Sequence, residues 1–171
     1  MRLLAIDPGT THSGLVTYDG TRVTHANSDM HNDAVLECVL EHDYDHLAVE
    51  MVASYGMPVG RETFQTVLWI GRFIQASPVP HTLVYRKSAG SIPGIVWSLC
   101  KDAKAKDANI RRALLDRFPA TGGGATPQVG TKKQPGPLYG VSRHAWSALA
   151  VAVTWFEHHP LANGAQHELN E

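Results

Sequence analysis

An α/β domain built on a mixed sheet is what this sequence predicts, and the order of its apolar patterns is the main reason. Three short extended segments come first, over about residues 2–7, 14–18 and 21–27. Strands then alternate with helices, and hairpin strands followed by such alternation imply a mixed sheet with helices against it. The 171 residues, 43% of them apolar, are enough for one well-buried core and too few for two full domains.

Taken in order, Leu3 to Ile6 read as a strand buried on both faces, Pro8 and Gly9 punctuate a tight turn, and Leu15 to Tyr18 resume an extended pattern. Asp19-Gly20 favours a tight hairpin into the third strand. A helix is expected at about 31–42, then a fourth strand from His46 to Met51. Phe64, Val67, Leu68, Gly71 and Ile74 recur at helical spacing over about 60–76. A fifth strand is expected at 81–85, a helix at 104–118 and a last long helix at 142–158, whose Ala145, Ala148, Leu149, Ala152 and Phe156 form one apolar stripe. Residues 119–140 are rich in Gly, Pro and Thr and carry Lys132 and Lys133, so they read as a flexible basic loop. Residues 161–171 are expected to be a disordered tail, which leaves 1–160 as the folded domain.

Two carboxylates stand out against this frame. Asp7 ends the first apolar strand and Glu50 ends the fourth, after Leu47-Ala48-Val49. An aspartate in a turn can simply bond its own backbone, and a strand-end glutamate can reach solvent. Two carboxylates at converging strand ends are costly unless hydrogen-bonded or paired with a cation, so together they point to a divalent metal.

Charge is distributed unevenly. Residues 1–85 hold four Lys or Arg against ten Asp or Glu, while residues 86–143 hold eleven against three, although the whole chain is only −1. A basic stretch of that kind suits an anionic partner such as nucleic acid. Cys38 and Cys100 lack metal-ligand spacing and are expected to be small buried hydrophobes in a reducing, cytoplasmic setting. No run approaches the roughly 18–20 apolar residues of a membrane span, and no secretory leader is expected at the N-terminus.

The Asp7-Pro8-Gly9-Thr10-Thr11 spelling resembles the first phosphate loop of the sugar-kinase, actin and heat-shock ATPases, but those need a second Asp-x-Gly loop, which is missing after it. It also resembles the RuvC-like Holliday-junction resolvases of the ribonuclease H superfamily. With it go the fourth-strand Glu50, the basic segment, and a last helix reading Ser142-Arg-His144-Ala-Trp-Ser147-Ala-Leu-Ala. The stretches from Tyr55 to Arg72 and from Gly130 to Tyr139 resemble phage and prophage members in particular.

The resemblance implies a ribonuclease H-like mixed five-stranded sheet flanked by helices. It also implies a structure-selective endonuclease that hydrolyses DNA at four-way junctions with two divalent ions, Mg²⁺ or Mn²⁺. Asp7 would bridge the ions, Glu50 would complete one shell and His144 the other. Ser147 falls where the family carries an aspartate, and a hydroxyl is a poor direct ligand for Mg²⁺, so it would at best hold a metal-bound water. Lys87 and Lys106 match lysines that the family sets against DNA phosphate; Arg86, Lys104, Arg111, Lys132 and Lys133 extend the basic surface, and Tyr55 lies near the place of a base-stacking aromatic. A homodimer is expected from the two-fold symmetry of a junction. A nuclease for flaps, forks or RNA on the same fold, and a branched-DNA-binding module without catalysis, are the alternatives.

Overall fold

The computed structural model describes residues 1–41, 43–89 and 93–160, so the expected tail at 161–171 lies outside the described residues. A five-stranded sheet forms from β1 (Leu3–Asp7), β2 (His12–Tyr18), β3 (Val23–His31), β4 (His46–Met51) and β5 (His81–Tyr85), in the order β3-β2-β1-β4-β5. β1 pairs antiparallel with β2 and parallel with β4, and β5 is parallel to β4. The mixed α/β architecture expected from the sequence is therefore the one observed.

Side chains alternate across a strand, and here the alternation assigns each residue of β1 to one of two cores. Leu4 and Ile6 join Leu15, Leu47 and Val49 under α1 (Asn32–Glu41) and α2 (Arg61–Ala76). Leu3 and Ala5 join Val16, Ala48 and Val84 under α3 (Ile95–Cys100), α4 (Asp107–Leu115) and α5 (Ala145–His158). Asp7 continues the phase of Leu3 and Ala5, and Glu50 that of Ala48. Both carboxylates consequently belong to the α5 side of the sheet.

Several boundaries differ from the sequence reading, each for a physical reason. The Asp19-Gly20 turn is no two-residue hairpin: Tyr18 pairs with Val23 across four loop residues, because Asp19 Oδ1 accepts from the Thr21 and Arg22 amides and draws them into the turn. β3 is longer than expected and runs to His31. The helix expected at 104–118 is confined to Asp107–Leu115, which leaves Lys104 and Lys106 ahead of it. α3 has no counterpart in the sequence pattern, because six apolar-rich residues are too few to show a helical period. α5 begins at Ala145 rather than 142, since Arg143 takes a left-handed φ of 41°. Its apolar stripe widens to a full circumference, every residue from Ala148 to Phe156 being buried, because α3 and α4 cover the side away from the sheet.

The apolar spacing in α2 has the opposite outcome. Its buried residues are Thr66, Ile70 and Phe73, with Trp69 and Ile74 packed partly against the same core, whereas Phe64 (65%) and Leu68 (58%) lie exposed with Val67 beside them. The segment 119–140 contains neither helix nor strand, but it is laced by backbone hydrogen bonds and anchored by the fully buried Leu138.

Candidate active site

The parallel pairing of β1 with β4 builds the centre of the site. Ile6 is opposite Val49, so the next residues, Asp7 and Glu50, end neighbouring strands on the same side. Asp7 is paired with Gly14 of β2, and the absence of a side chain there lets the start of α5 sit directly on the sheet: a Cβ on Gly14 would come within 2.6 Å of the His144 carbonyl oxygen. His144 is thereby fixed with its Nδ1 3.7 Å from Asp7 Oδ2, although its ring is otherwise exposed. One turn further along, the Ser147 hydroxyl hydrogen-bonds the Asp7 carboxylate. The imidazole and the hydroxyl thus share one helix face and one target, as their spacing of three predicts.

Asp7 does not cap its own turn. The Gly9 amide donates to Ser13 Oγ at 3.2 Å, the Ser13 hydroxyl donates to Asn32 Oδ1 at 2.6 Å, and Asn32 Nδ2 returns to the Gly9 carbonyl at 3.0 Å. Asn32 is fully buried and its amide is also spent on the Thr11 carbonyl. This closed network holds the turn and leaves the Asp7 carboxylate free for the cleft. Sequence reading missed Ser13 and Asn32, since one polar residue in a strand and one at a helix start look like ordinary surface.

Burial raises both carboxyls. Glu50 is pushed up to about 8, first by loss of solvent and then by the Asp7 charge, against the pull of Arg86. Asp7 is pushed up to about 6 by burial, against His144, Ser147 and Arg86. Without a cation the pair therefore holds about one proton near neutral pH. Glu50 makes no hydrogen bond or ion pair with any described residue.

Arg86 follows directly after β5 and forms an ion pair with Asp107, the first residue of α4. Gly94 makes room for this corner, because a Cβ there would sit 2.3 Å from the Lys87 backbone, and the Val96 amide donates to the Arg86 carbonyl. Glu50, Arg86, Asp107 and Ser147 line one small recess. Beside it an open cleft of about 750 Å³ runs past Arg111, His144, Trp146 and the 124–131 loop.

Of the remaining basic residues, Arg111 lines both the recess and the cleft, and the lysines line neither. Arg111 stacks on Trp146, 5.0 Å from the ring centroid. Lys87 Nζ lies 5.0 Å over the Tyr55 ring, and the Lys87 amide donates to Tyr55 Oη. Tyr55 is exposed at a left-handed φ of 46°, not packed in the core. Lys104 and Lys106 are exposed ahead of α4, where Asn109 Oδ1 accepts from the Lys106 amide. Lys132 and Lys133 form the tip of a turn closed by reciprocal hydrogen bonds between Thr131 and Gln134, and they line neither cavity.

Asp7 and Glu50 fit a divalent cation by donor chemistry: both are oxygen ligands, both are desolvated, and the Asp7 charge raises the proton affinity of Glu50. The fit is incomplete, because among the described residues no group of three or more His, Cys, Asp or Glu is arranged to hold a metal. No helix among them is long and apolar enough to cross a membrane.

No protein-family model matches the sequence, and no curated protein matches it significantly. Solved structures do match. The chain superposes on the Thermus thermophilus RuvC structure with a TM-score of 0.63 at 18% identity, over 94% of this chain and 97% of that one. It also matches T. thermophilus RuvC in complex with a Holliday junction substrate, with a TM-score of 0.58 at 18% identity over 90% and 92% of the two chains. The mixed five-stranded sheet and its flanking helices are thus the RuvC fold.

Proposed function

We propose that this protein is a metal-dependent, structure-selective DNA endonuclease that hydrolyses phosphodiester bonds at four-way junctions, as a member of the RuvC-like resolvases of phage type. The observation that carries the reading is the pair of desolvated carboxylates, Asp7 and Glu50, at the ends of adjacent parallel strands on the RuvC fold. Support for DNA comes from the basic segment that borders them and from the fold neighbour bound to a Holliday junction.

In this reading Asp7 and Glu50 would hold Mg²⁺ or Mn²⁺, two ions in all, and His144 would supply the nitrogen ligand. Such ions supply charge that activates the attacking water and stabilises the leaving 3′-oxygen. Ser147 keeps the Asp7 carboxylate aimed into the cleft through its hydrogen bond. Arg86, Lys87, Lys104, Lys106, Arg111, Lys132 and Lys133 would neutralise phosphates along the cleft, which positions DNA without reading its bases. Tyr55 is exposed enough to stack on an unpaired base. A second copy would cover the exposed Phe64, Val67 and Leu68 of α2, since a junction with two-fold symmetry asks for two sites. We place the enzyme in the cytoplasm, where such DNA and reduced cysteines occur.

A second reading, branched-DNA binding without catalysis, is favoured by Ser147 standing where the family has a carboxylate. Incubation of the protein with labelled four-way junction, flap, fork, duplex and RNA substrates, with Mn²⁺, with Mg²⁺ and with chelator, separates these readings. Junction cleavage that needs metal supports the proposal. Binding without cleavage under every condition selects the second reading, and preference for a flap, fork or RNA reassigns the substrate.

A further inference from the structure

We infer that the open cleft between α4, the start of α5 and the 124–131 loop is a base-binding subsite: it takes an unpaired nucleotide of the DNA strand that passes the carboxylates, and the Arg111 guanidinium, backed by the Trp146 ring, is the platform on which the base stacks. This deepens the DNA reading above and rests on it. Arg111 and Trp146 line both the small recess that contains Glu50 and the open cleft, so they stand where the two join. A strand with a phosphate at the recess would bring its neighbouring base to this platform.

The lining fits that occupant. The volume of about 750 Å³ is within the ordinary range of ligand sites and ample for a nucleotide. Trp146 and Val129 supply apolar surface, while Arg111 and Arg143 supply positive charge. The acidic residue of the lining, Asp107, is in a close ion pair with Arg86, which leaves the two cleft arginines in excess for an anionic strand. A guanidinium is planar and weakly hydrated, so one face can lie on an indole while the other accepts a base. Arg111 is exposed, and its guanidinium carbon lies 5.0 Å from the Trp146 ring centroid.

The wall that faces this platform is built to hold its shape. Gly122, Gly130 and Gly136 pack so tightly that a Cβ on any of them would meet backbone within 2.6 Å, and the Gly136 amide donates to the Val129 carbonyl at 3.0 Å. A wall shaped before any ligand arrives lowers the ordering cost of binding. The competing account is that Arg111 packs on Trp146 and neutralises a phosphate, which predicts affinity without any dependence on a base.

Two fluorescein-labelled hexamers of equal charge, one of thymidines and one of abasic deoxyriboses, separate these accounts by anisotropy titration in chelator at low salt. Wild type should bind the thymidine hexamer on the order of tenfold more tightly, the scale of one stacked base. Arg111→Lys keeps the charge and loses the planar face, so it should bind the abasic hexamer like wild type and lose most of the thymidine preference. Melting midpoints compared with wild type verify that the variant is folded. The inference is overturned if wild type binds both hexamers alike, if it binds neither, or if Arg111→Lys keeps the full preference. Junction cleavage by the same preparation with Mn²⁺ tests the nuclease reading separately. Cleavage without thymidine preference overturns the subsite alone, whereas an Arg111-dependent preference without cleavage supports the subsite and selects branched-DNA binding as the function.

Discussion

The two halves of the site are built on different principles. Asp7 and Glu50 are carried by adjacent parallel strands, largely withdrawn from solvent, and fixed by sheet register and, at Asp7, by the Ser13–Asn32 network. His144 and the lysines are carried by helix starts and loops, and Arg111 by the middle of α4; their side chains are exposed and are placed by a glycine contact, a ring stack or nothing more than chain direction. The buried half has high electrostatic leverage and little freedom, because desolvated charges interact strongly and cannot be screened. The exposed half can change composition cheaply, because its charges are solvated and screened.

The largest expected effect breaks the buried half. Asp7→Asn or Glu50→Gln should reduce junction cleavage by about 10³-fold or more, the scale of removing a preorganised electrostatic element from an active site. Junction affinity in a gel-shift assay should stay near wild type, because the phosphate contacts lie in the other half. Cleavage by Asp7→Asn at wild-type rate would show that the strand ends are not the reactive centre.

Stability sharpens the same contrast. Glu50 has a folded-state pKa of about 8 against an ordinary 4.5, so the fold favours its neutral form. Its stabilising contribution is full below about pH 4.5 and is lost as pH rises through about 8; Asp7 adds the same trend up to about 6. In metal-free buffer the melting midpoint should therefore fall between pH 5 and pH 8. Glu50→Gln should remove most of that slope, a gain on the order of 2–4 kcal/mol at pH 8. Mn²⁺ at 100 times its Kd should restore about 2.7 kcal/mol to the wild type and much less to Asp7→Asn.

What could be read in the sequence follows the same division. Asp7 and Glu50 were legible because a long apolar run ending on a carboxylate is a one-dimensional signal, and the five strands were legible for the same reason. His144 was reached through resemblance alone, and the structure sets its Nδ1 3.7 Å from Asp7 Oδ2. The Arg86–Asp107 ion pair was hidden: Lys106-Asp107 reads as an ordinary helix start, and only the fold shows that α4 begins beside Arg86. Phe64 and Leu68 carried a correct helical period, but period alone cannot say which stripe faces the core when two are apolar. Asn32 and Ser13 carry no pattern at all, since their partners lie 19 to 23 residues away.

The glue between the halves gives effects of intermediate size. Asn32→Ala leaves the Ser13 hydroxyl and the Gly9 carbonyl without their partner in a buried setting, at a cost of about 1–3 kcal/mol. For a chain of this length each kcal/mol lowers the melting midpoint by roughly 2–4 °C. Gly14→Ala should act on the other side of Asp7, because its methyl group must displace the His144 carbonyl and with it the start of α5. Both variants should lose cleavage along with stability. A loss of stability with undiminished cleavage in either would mean that the turn and the helix start do not position Asp7.

The smallest expected effects belong to the exposed half, and they are read best as slopes. Each Lys that neutralises one phosphate contributes about 0.9 to the slope of log K against log salt on B-form DNA, whichever sequence is bound. Lys106→Ala should flatten the slope by about one unit, since its side chain stands free ahead of α4. Lys87 is held over Tyr55, so its charge is preplaced beside the cleft and Lys87→Ala should give the same change in slope. Lys132 and Lys133 are displayed together at the tip of their turn, away from both cavities. Removing both should flatten the slope by about two units only if a DNA arm extends past the cleft to reach them, and the comparison must be made on a four-way junction and on a short duplex. A double variant with the same slope as wild type on the junction would confine the DNA contact to the α4 side of the cleft.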